Sequence, residues 1–514
     1  MKRTTALLFL GLITTFVHAA DSRPNFLIIM ADDMGYSDLG CYGGEIETPN
    51  LDRLAAEGVR FSSFYNCALC GPTRAALMTG LNPHQVGIST WTGLLNDRCV
   101  TLFEMLKDGG YTTCATGRLD MITGEPWHDP ANLGKVADRF FGSTGHKGPG
   151  NYFANVRNTE FYRDGELYSI PEGGYKTDLI TDFAVEFLRS RDREKPFLLY
   201  MGHYAPHWPL HAKPEDIAKY RERYRTLGWD KIRAARHERL LKSGLIPPET
   251  ELSPLDPRSP AWEDAPNKEW EAERMAVYAA QIDCLDQSVG RVMEALRQSG
   301  AAENTLVLFL SDNGASDKAV GQLDKPNLTW RSDGTKTRVG NKPGIMPGPA
   351  DTFVTAGPAW SCVANTPFRL HKQSNHEGGI ASPLIAWWPD HVTTSGGILH
   401  EPAHITDLMA TCLDLAGVST PSSYHGRSVL PPAGRSLAPL IEGRTWDEPR
   451  PFLAWATSGS KAIRMGPWKL VALPQKPWEL YHLETDRTEL KDLAKEQPDR
   501  VKEMAKAFEE WRKK

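Results

Sequence analysis

The sequence predicts an α/β fold: a large, mostly parallel central sheet flanked by helices, with a smaller α+β domain at the C-terminal end. Three observations predict it. Short apolar runs of strand length recur, and each ends in polar residues. Stretches with helical spacing separate them. Near Glu448-Pro449-Arg450-Pro451 the pattern changes to closely spaced short strands. The expected boundaries are 21–446 for the large domain and 447–514 for the small one.

Taken in order, Lys2 and Arg3 precede an apolar stretch, Ala6 to Val17, which ends at Val17-His18-Ala19. This pattern predicts a signal peptide over residues 1–20. The stretch is shorter than the roughly 20 residues of a membrane span, so cleavage is favoured over anchoring. The expected product is exported, periplasmic or secreted, with no stable membrane anchor.

The strand-like runs come next. Asn25 to Met30 leads into Asp32-Asp33, Tyr111 to Thr116 into Arg118, and Phe197 to Met201 into His203 and His207. Thr305 to Leu310 leads into Asp312-Asn313, and Pro383 to Trp388 follows Lys372. Helical stretches lie at Thr48–Glu57, Thr177–Arg189 and Met275–Arg297. Open α/β sheets place ligands beyond the carboxyl ends of their strands. Asp32, Asp33, Arg118, His207, Asp312 and Asn313 are therefore expected at one rim. Residues 212–267 are polar and rich in proline, and read as a helical surface insertion. Phe452–Ala456, Ala462–Met465, Trp468–Ala472 and Glu479–His482 predict a meander, followed by a helix over Val501–Lys513.

A net charge of −5 gives no footing for nucleic-acid binding. The 8 cysteines are sparse and uneven, unlike a disulfide framework. Cys67 and Cys70 form a CxxC pair, which spacing alone allows to be redox-active or half of a zinc site. No second CxxC completes a zinc site.

The densest chemical signal is the run from Cys70 to Gly80, CGPTRAALMTG. Pro72 suits a first helical turn and Gly80 a helix end. Cys70 would then sit just before a helix, where free N–H groups favour anions, with Arg74 one turn further in. This reads as an activated nucleophile beside an anion site. A buried structural cysteine with a surface arginine fits the local chemistry equally well.

The CxPxR motif followed by AALMTG resembles the signature of the type I sulfatases of the alkaline-phosphatase superfamily. RPNFLIIMADDMGYSDLGCYGG, TPNLDRLAAEGVRF, LSDNGA at 310–315, NTPFRLHKQSNHEGGI at 365–380 and PWELYHLETDRTELKDLA are similar to that family as well. The resemblance spans nearly the whole mature chain and is closest to bacterial arylsulfatases. It implies hydrolysis of sulfate monoesters, aryl or carbohydrate. It further implies that Cys70 is converted to formylglycine (3-oxoalanine) by a formylglycine-generating or equivalent maturation enzyme. The hydrated aldehyde offers two hydroxyls on one carbon, one to attack sulfur and one to expel sulfate. One Ca2+ would be held by Asp32, Asp33, Asp312, Asn313 and the converted Cys70. Arg74 would support the nucleophile and metal, and His207 and Lys372 the sulfate and leaving group. His203 and His376 are expected to be structural or substrate-lining.

One departure stands out. Where the family carries a GKWHLG-like motif, this chain has Gly117-Arg118-Leu119-Asp120-Met121. Arg118 keeps the positive charge of the expected lysine but offers a fork of donors. Asp120 replaces the histidine expected to assist the second hydroxyl; it either acts as a base or pairs with Arg118. His128 is a further source of imidazole. Two other readings follow: a phosphodiester or phosphonate monoester hydrolase with the same modified cysteine, and a weakened, sulfated-glycan-binding protein. Trp127, Trp208, Trp330 and Trp360 are candidates for stacking on substrate, with core packing as the default.

Overall fold

The computed structural model describes residues 22–90, 95–120, 137–143, 150–154, 161–320, 331 and 334–514. The expected signal peptide, Trp127, His128 and Trp330 lie outside them.

The strands of the main sheet are β1 (Asn25–Asp32), β2 (Val59–Tyr65), β3 (Thr112–Arg118), β4 (Arg139–Ser143), β5 (Phe161–Arg163), β6 (Glu166–Tyr168), β7 (Phe197–Pro206) and β8 (Thr305–Ser311). After a small parallel pair, β9 (Arg338–Val339) and β10 (Thr352–Phe353), the sheet gains β11 (Ala381–Trp387), β12 (Gly397–Leu399) and β13 (Ala403–His404). Its order is β12-β2-β11-β8-β1-β7-β3-β4-β5-β6, with β13 also on β2.

The strands β8, β1, β7, β3 and β4 form a parallel core. β1 shows why its sequence reads as an unbroken apolar run. Phe26, Ile28 and Met30 pack into one hydrophobic core and Leu27 and Ile29 into another, so both faces are covered. The helix Leu102–Asp108 packs on the first face and the helices Lys176–Ser190 and Lys268–Gln298 on the second.

The departure from a purely parallel sheet is β11, antiparallel to both β8 and β2. Its direction matters for function. Residues that precede β11 emerge at the same rim as residues that follow β1, β2 and β8. The ends of β1, β3, β7 and β8 lie one to several residues beyond the expected ones, that of β11 one residue short, and Asp32 and Arg118 are the last residues of β1 and β3.

Residues 212–267 include the helices Pro214–Ala218 and Arg221–Ser243. Their polar sequence hides a buried set: Tyr220, Tyr224, Trp229 and Arg236. Arg236 bonds Asp38 at 2.7 Å and Glu45 at 2.7 Å, tying this segment to the loop after β1.

A minor hairpin, β14 (Ser423–Tyr424) and β15 (Arg427–Ser428), precedes the C-terminal meander. The meander is β16 (Leu453–Thr457), β17 (Ser460–Met465), β18 (Trp468–Ala472) and β19 (Glu479–His482), all antiparallel, with the helix Pro498–Arg512 packed on it. No described helix is long and apolar enough to cross a membrane. All eight cysteines are free thiols.

Candidate active site

The helix Cys70–Thr79 follows β2 directly and ends at Gly80, which is left-handed with φ 65°. Cys70 is its first residue rather than the residue before it, and it is buried. Its sulfur accepts from Lys372 Nζ at 3.4 Å and from Arg118 Nη2 at 3.7 Å. Burial pushes the Cys70 thiol up to about 12, although Lys372 and Arg118 pull it down. At neutral pH the unmodified side chain is therefore a protonated thiol, a poor nucleophile.

Arg74 lies one turn along and is fully buried. Nη2 reaches Asp312 Oδ2 at 2.8 Å and Asp32 Oδ2 at 3.4 Å. Nη1 donates to Arg118 O and Tyr200 Oη, both at 2.8 Å. Gly202 leaves room for this arrangement: a Cβ there would lie 2.1 Å from Arg118 O and 3.0 Å from Arg74 Nη1.

The acidic residues converge as the strand ends predict. Asp33 is left-handed with φ 64°, and its N–H donates to Asp312 Oδ1 at 3.1 Å. Asn313 Nδ2 donates to Asp33 Oδ1 at 2.6 Å, and Lys372 Nζ bonds the same oxygen. Asp32 is paired with Arg118. Burial alone would raise Asp32, but Arg118, His207, Arg74 and Lys372 outweigh it and hold its carboxyl well below the usual range. Burial and the neighbouring Asp32 raise Asp312 to about 7 against Arg74 and Lys372.

Three oxygens in this cluster have no hydrogen-bond partner among the described residues: Asp32 Oδ1, Asp33 Oδ2 and Asn313 Oδ1. Buried oxygens are rarely left so. Asp32, Asp312 and Cys70 bring ligand atoms within 4.8 Å of one another, as do Asp32, Asp33 and His207. Carboxylate and amide oxygens at this density suit a hard divalent cation, which would also relieve the crowding that raises Asp312. The residues fit a metal ion.

His207 stands at the end of β7. Nδ1–H donates to Trp208 O at 2.6 Å, so Nε2 is the nitrogen turned to the cluster, 3.6 Å from Asp33 Oδ2. Burial lowers its affinity for a proton, and Asp33 and Asp32 restore part of it. Lys372, from the loop before β11, completes the ring. Burial opposes its charge, but Asp33 and the neighbouring anions hold it above its ordinary value.

Asp120 pairs with Arg118 Nη2 at 2.6 Å. The forked guanidinium thus spans Asp32, Asp120 and Cys70, three contacts that a lysine ammonium could not make in one plane. His203 has Nε2 3.4 Å from Ser288 Oγ, and burial lowers it to about 3. His376 is held by Ser374 and by Glu479 at 3.0 Å. Trp360 is core, packed against Trp229 and Tyr224, whereas Trp208 packs on the His207 ring. Tyr200, the phenol that braces Arg74, gave no sign in the sequence, because it sits inside the apolar run FLLYM.

Comparison with known proteins identifies the family. The sulfatase family model matches residues 24–418, and the model for the C-terminal region of N-sulphoglucosamine sulphohydrolase matches 369–514. An arylsulfatase of Klebsiella aerogenes is 32% identical, over 82% of this chain and 93% of its own. The human N-acetylgalactosamine-6-sulfatase is 30% identical, over 84% of this chain and 68% of its own. The crystal structure of Ps i-CgsB superposes with a TM-score of 0.68 at 27% identity, covering 95% of this chain and 93% of that one. With a family match over most of its length and the site residues drawn together at one rim, this chain belongs to the sulfatase family of sulfuric ester hydrolases.

Proposed function

We propose that the chain hydrolyses aryl or carbohydrate sulfate monoesters with Cys70, in its formylglycine form, as the attacking residue. The observation that carries this reading is the ring around Cys70: two cationic donors on its sulfur and three unpartnered oxygens beside it. Conversion supplies an aldehyde hydrate, whose oxygen is a far better match for sulfur than a buried thiol. Cys70 is buried in the folded chain, so the maturation enzyme must reach it before folding completes.

Asp32, Asp33, Asp312 and Asn313 would hold Ca2+, which supplies positive charge for the sulfate oxygens and the nucleophile. Lys372 and Arg118 bind the sulfate oxygens and offset the charge that develops on them. Arg74 keeps Asp32 and Asp312 in place. His207, its Nδ1–H fixed on Trp208 O, turns Nε2 to the leaving-group side, where a proton first taken up at that nitrogen would pass to the departing alcohol oxygen. Asp120 orients Arg118.

The substrate class follows the relatives. The named activity of the human relative is on N-acetylgalactosamine-6-sulfate, and Ps i-CgsB has been crystallised with k-i-k-neocarrahexaose, at a TM-score of 0.67 and 25% identity. The apolar run at residues 6–17 supports export to the periplasm or beyond. Likeness to a phosphonate monoester hydrolase of Agrobacterium radiobacter, at 20% identity, reflects the fold alone.

Protein coexpressed with a maturation enzyme, given Ca2+ and a panel of aryl and sugar sulfates, should release sulfate. Its kcat/KM should favour the sulfate over the phosphate ester of one alcohol. The absence of turnover on every sulfate would defeat the proposal. Removing the metal by chelation should lower the unfolding temperature as well as the rate. At a free Ca2+ concentration a hundred times Kd, restoration should add about 2.7 kcal/mol of stability. An unchanged melting curve in the chelator would exclude metal binding at this cluster.

A further inference from the structure

The segment that joins the helices Arg221–Ser243 and Lys268–Gln298 docks on the loop that carries Lys372. Ser253 N–H donates to Pro367 O at 3.2 Å, and the buried Arg233 donates to Ser253 O at 2.8 Å. Three residues on, Asp256 Oδ2 meets His371 Nε2 at 3.1 Å. The other ring nitrogen of His371 lies 2.8 Å from Ser361 Oγ. Both rings of contact are inside the protein: the His371 and Asp256 side chains are only 5% and 6% exposed.

Asp256 is itself clamped. Arg258 Nε donates to Oδ1 at 2.8 Å and Nη2 to Oδ2 at 2.6 Å. The same guanidinium reaches Asp317 at 2.7 Å, in the loop that leaves Asp312 and Asn313. A chain of contacts, Asp317, Arg258, Asp256, His371 and Ser361, therefore links the loop after β8 to the loop before β11.

Lys372 is the next residue after His371, and its backbone needs such support. Leu370 and Gln373, on either side of the pair, have φ of 62° and 76°, which is unusual for residues with a Cβ. Strained backbone of this kind persists only where its surroundings over-determine it. Lys372 N–H bonds Ala315 O at 3.1 Å and Gln373 N–H bonds Ala68 O at 2.8 Å, so the loop is registered against both the metal cluster and the Cys70 turn. The His371 side chain adds a buried anchor on the residue next to Lys372.

We infer that Asp256 is a positioning residue for Lys372, acting through His371. The inference rests on the placement of Lys372 in the sulfate-binding ring proposed above. Burial disfavours the His371 charge, but the bond to Asp256, helped by Cys362 Sγ at 3.9 Å and by Asp317, overcomes it and raises His371 to about 9. His371 is then an imidazolium that donates from both nitrogens, to the carboxylate and to the Ser361 hydroxyl. An asparagine at 256 would keep the volume and lose the charge that holds the ring protonated.

The test uses the converted, calcium-loaded full chain. Asp256→Asn should lower kcat on an aryl sulfate roughly 10–100-fold, the scale of a misplaced catalytic group. NMR titration of His371 should show its pKa falling from about 9 towards the ordinary 6.5. Inorganic sulfate, as the probe ligand, should bind more weakly to Asp256→Asn than to wild type. In a Lys372→Ala background the same substitution should change sulfate affinity no further, since groups acting as one unit are not additive. Unchanged kcat and sulfate affinity, or equal effects in the two backgrounds, would overturn the inference. Should Asp256→Asn fail to fold, Arg258→Gln loosens the same carboxylate from an exposed position and is read by the same measurements. Wild-type protein that turns over no sulfate ester would instead overturn the proposed function. The histidine titration would still decide whether Asp256 holds His371.

Discussion

Replacing Cys70 with alanine is expected to abolish sulfate ester hydrolysis, by at least about 10³-fold in kcat, while the chain still folds. The loss follows from removing the attacking group, which other residues of the site cannot replace. The fold should survive because alanine suits the first turn of a helix and the site is held elsewhere. Arg74 stays anchored on Asp312 and Tyr200, Lys372 on Asp33, and Arg118 on Asp32 and Asp120. Wild-type protein with unconverted Cys70 separates two explanations. If the thiol itself were the nucleophile, wild-type protein made without a maturation enzyme would be active. The buried thiol, raised to about 12, argues against that, and such protein should be as inactive as Cys70→Ala. The checks are turnover of one aryl sulfate by each preparation, the mass of the Cys70 peptide, and a thermal melt. Full activity from a preparation with unconverted Cys70 would sink this account.

Much of the rim was legible because its chemistry sits at the ends of recognisable runs. Asp32-Asp33 and Asp312-Asn313 each follow an unbroken apolar strand, and parallel strands carry their ends to one edge. Cys70 and Arg74 were legible from a compact motif. Other parts were not. β2 was not among the expected strands, and its pairing with β11, β12 and β13, all distant in sequence, makes it one. The antiparallel course of β11, which brings Lys372 round to the rim, is set by contacts distant in sequence. Asp120 was ambiguous between base and ion-pair partner, and its contact with Arg118 required three-dimensional proximity. Asp256 lies in a polar, proline-rich stretch with no motif, so its contact with His371, 115 residues away, left no trace in the pattern.

Lys469→Ala should be the most destabilising single substitution outside the catalytic ring, at about 3–5 kcal/mol, the usual cost of stranding a buried charge. Lys469, on β18, is fully buried between Glu377 and Glu489, at 2.7 and 2.9 Å. Glu489 also accepts from Glu377 N–H at 2.9 Å, and Tyr65 donates to Glu377 at 3.0 Å. This network joins the C-terminal meander to the loop of Lys372, so its loss removes both a cation and a seam. Lys469→Met combined with Glu489→Gln should recover part of the loss, because Glu377 keeps Arg487 at 3.5 Å and the other carboxylate of the network is neutral. The sign of the pH dependence is fixed by the same pairs. Burial raises Glu377, but Lys469 and Arg487 overcome this and lower it from 4.5. Its contribution is present above that value and lost as pH falls through the depressed one. Burial opposes Lys469 as well, yet Glu377 and Glu489 raise it from 10.5, so its contribution is present below that value and lost on further alkalinisation. Wild type should therefore lose stability on both sides of this window, and the alanine variant should lose less of it at either end. Urea-unfolding midpoints measured across that range decide the matter. A midpoint at neutral pH within experimental error of wild type would show that the network contributes nothing to holding the meander in place.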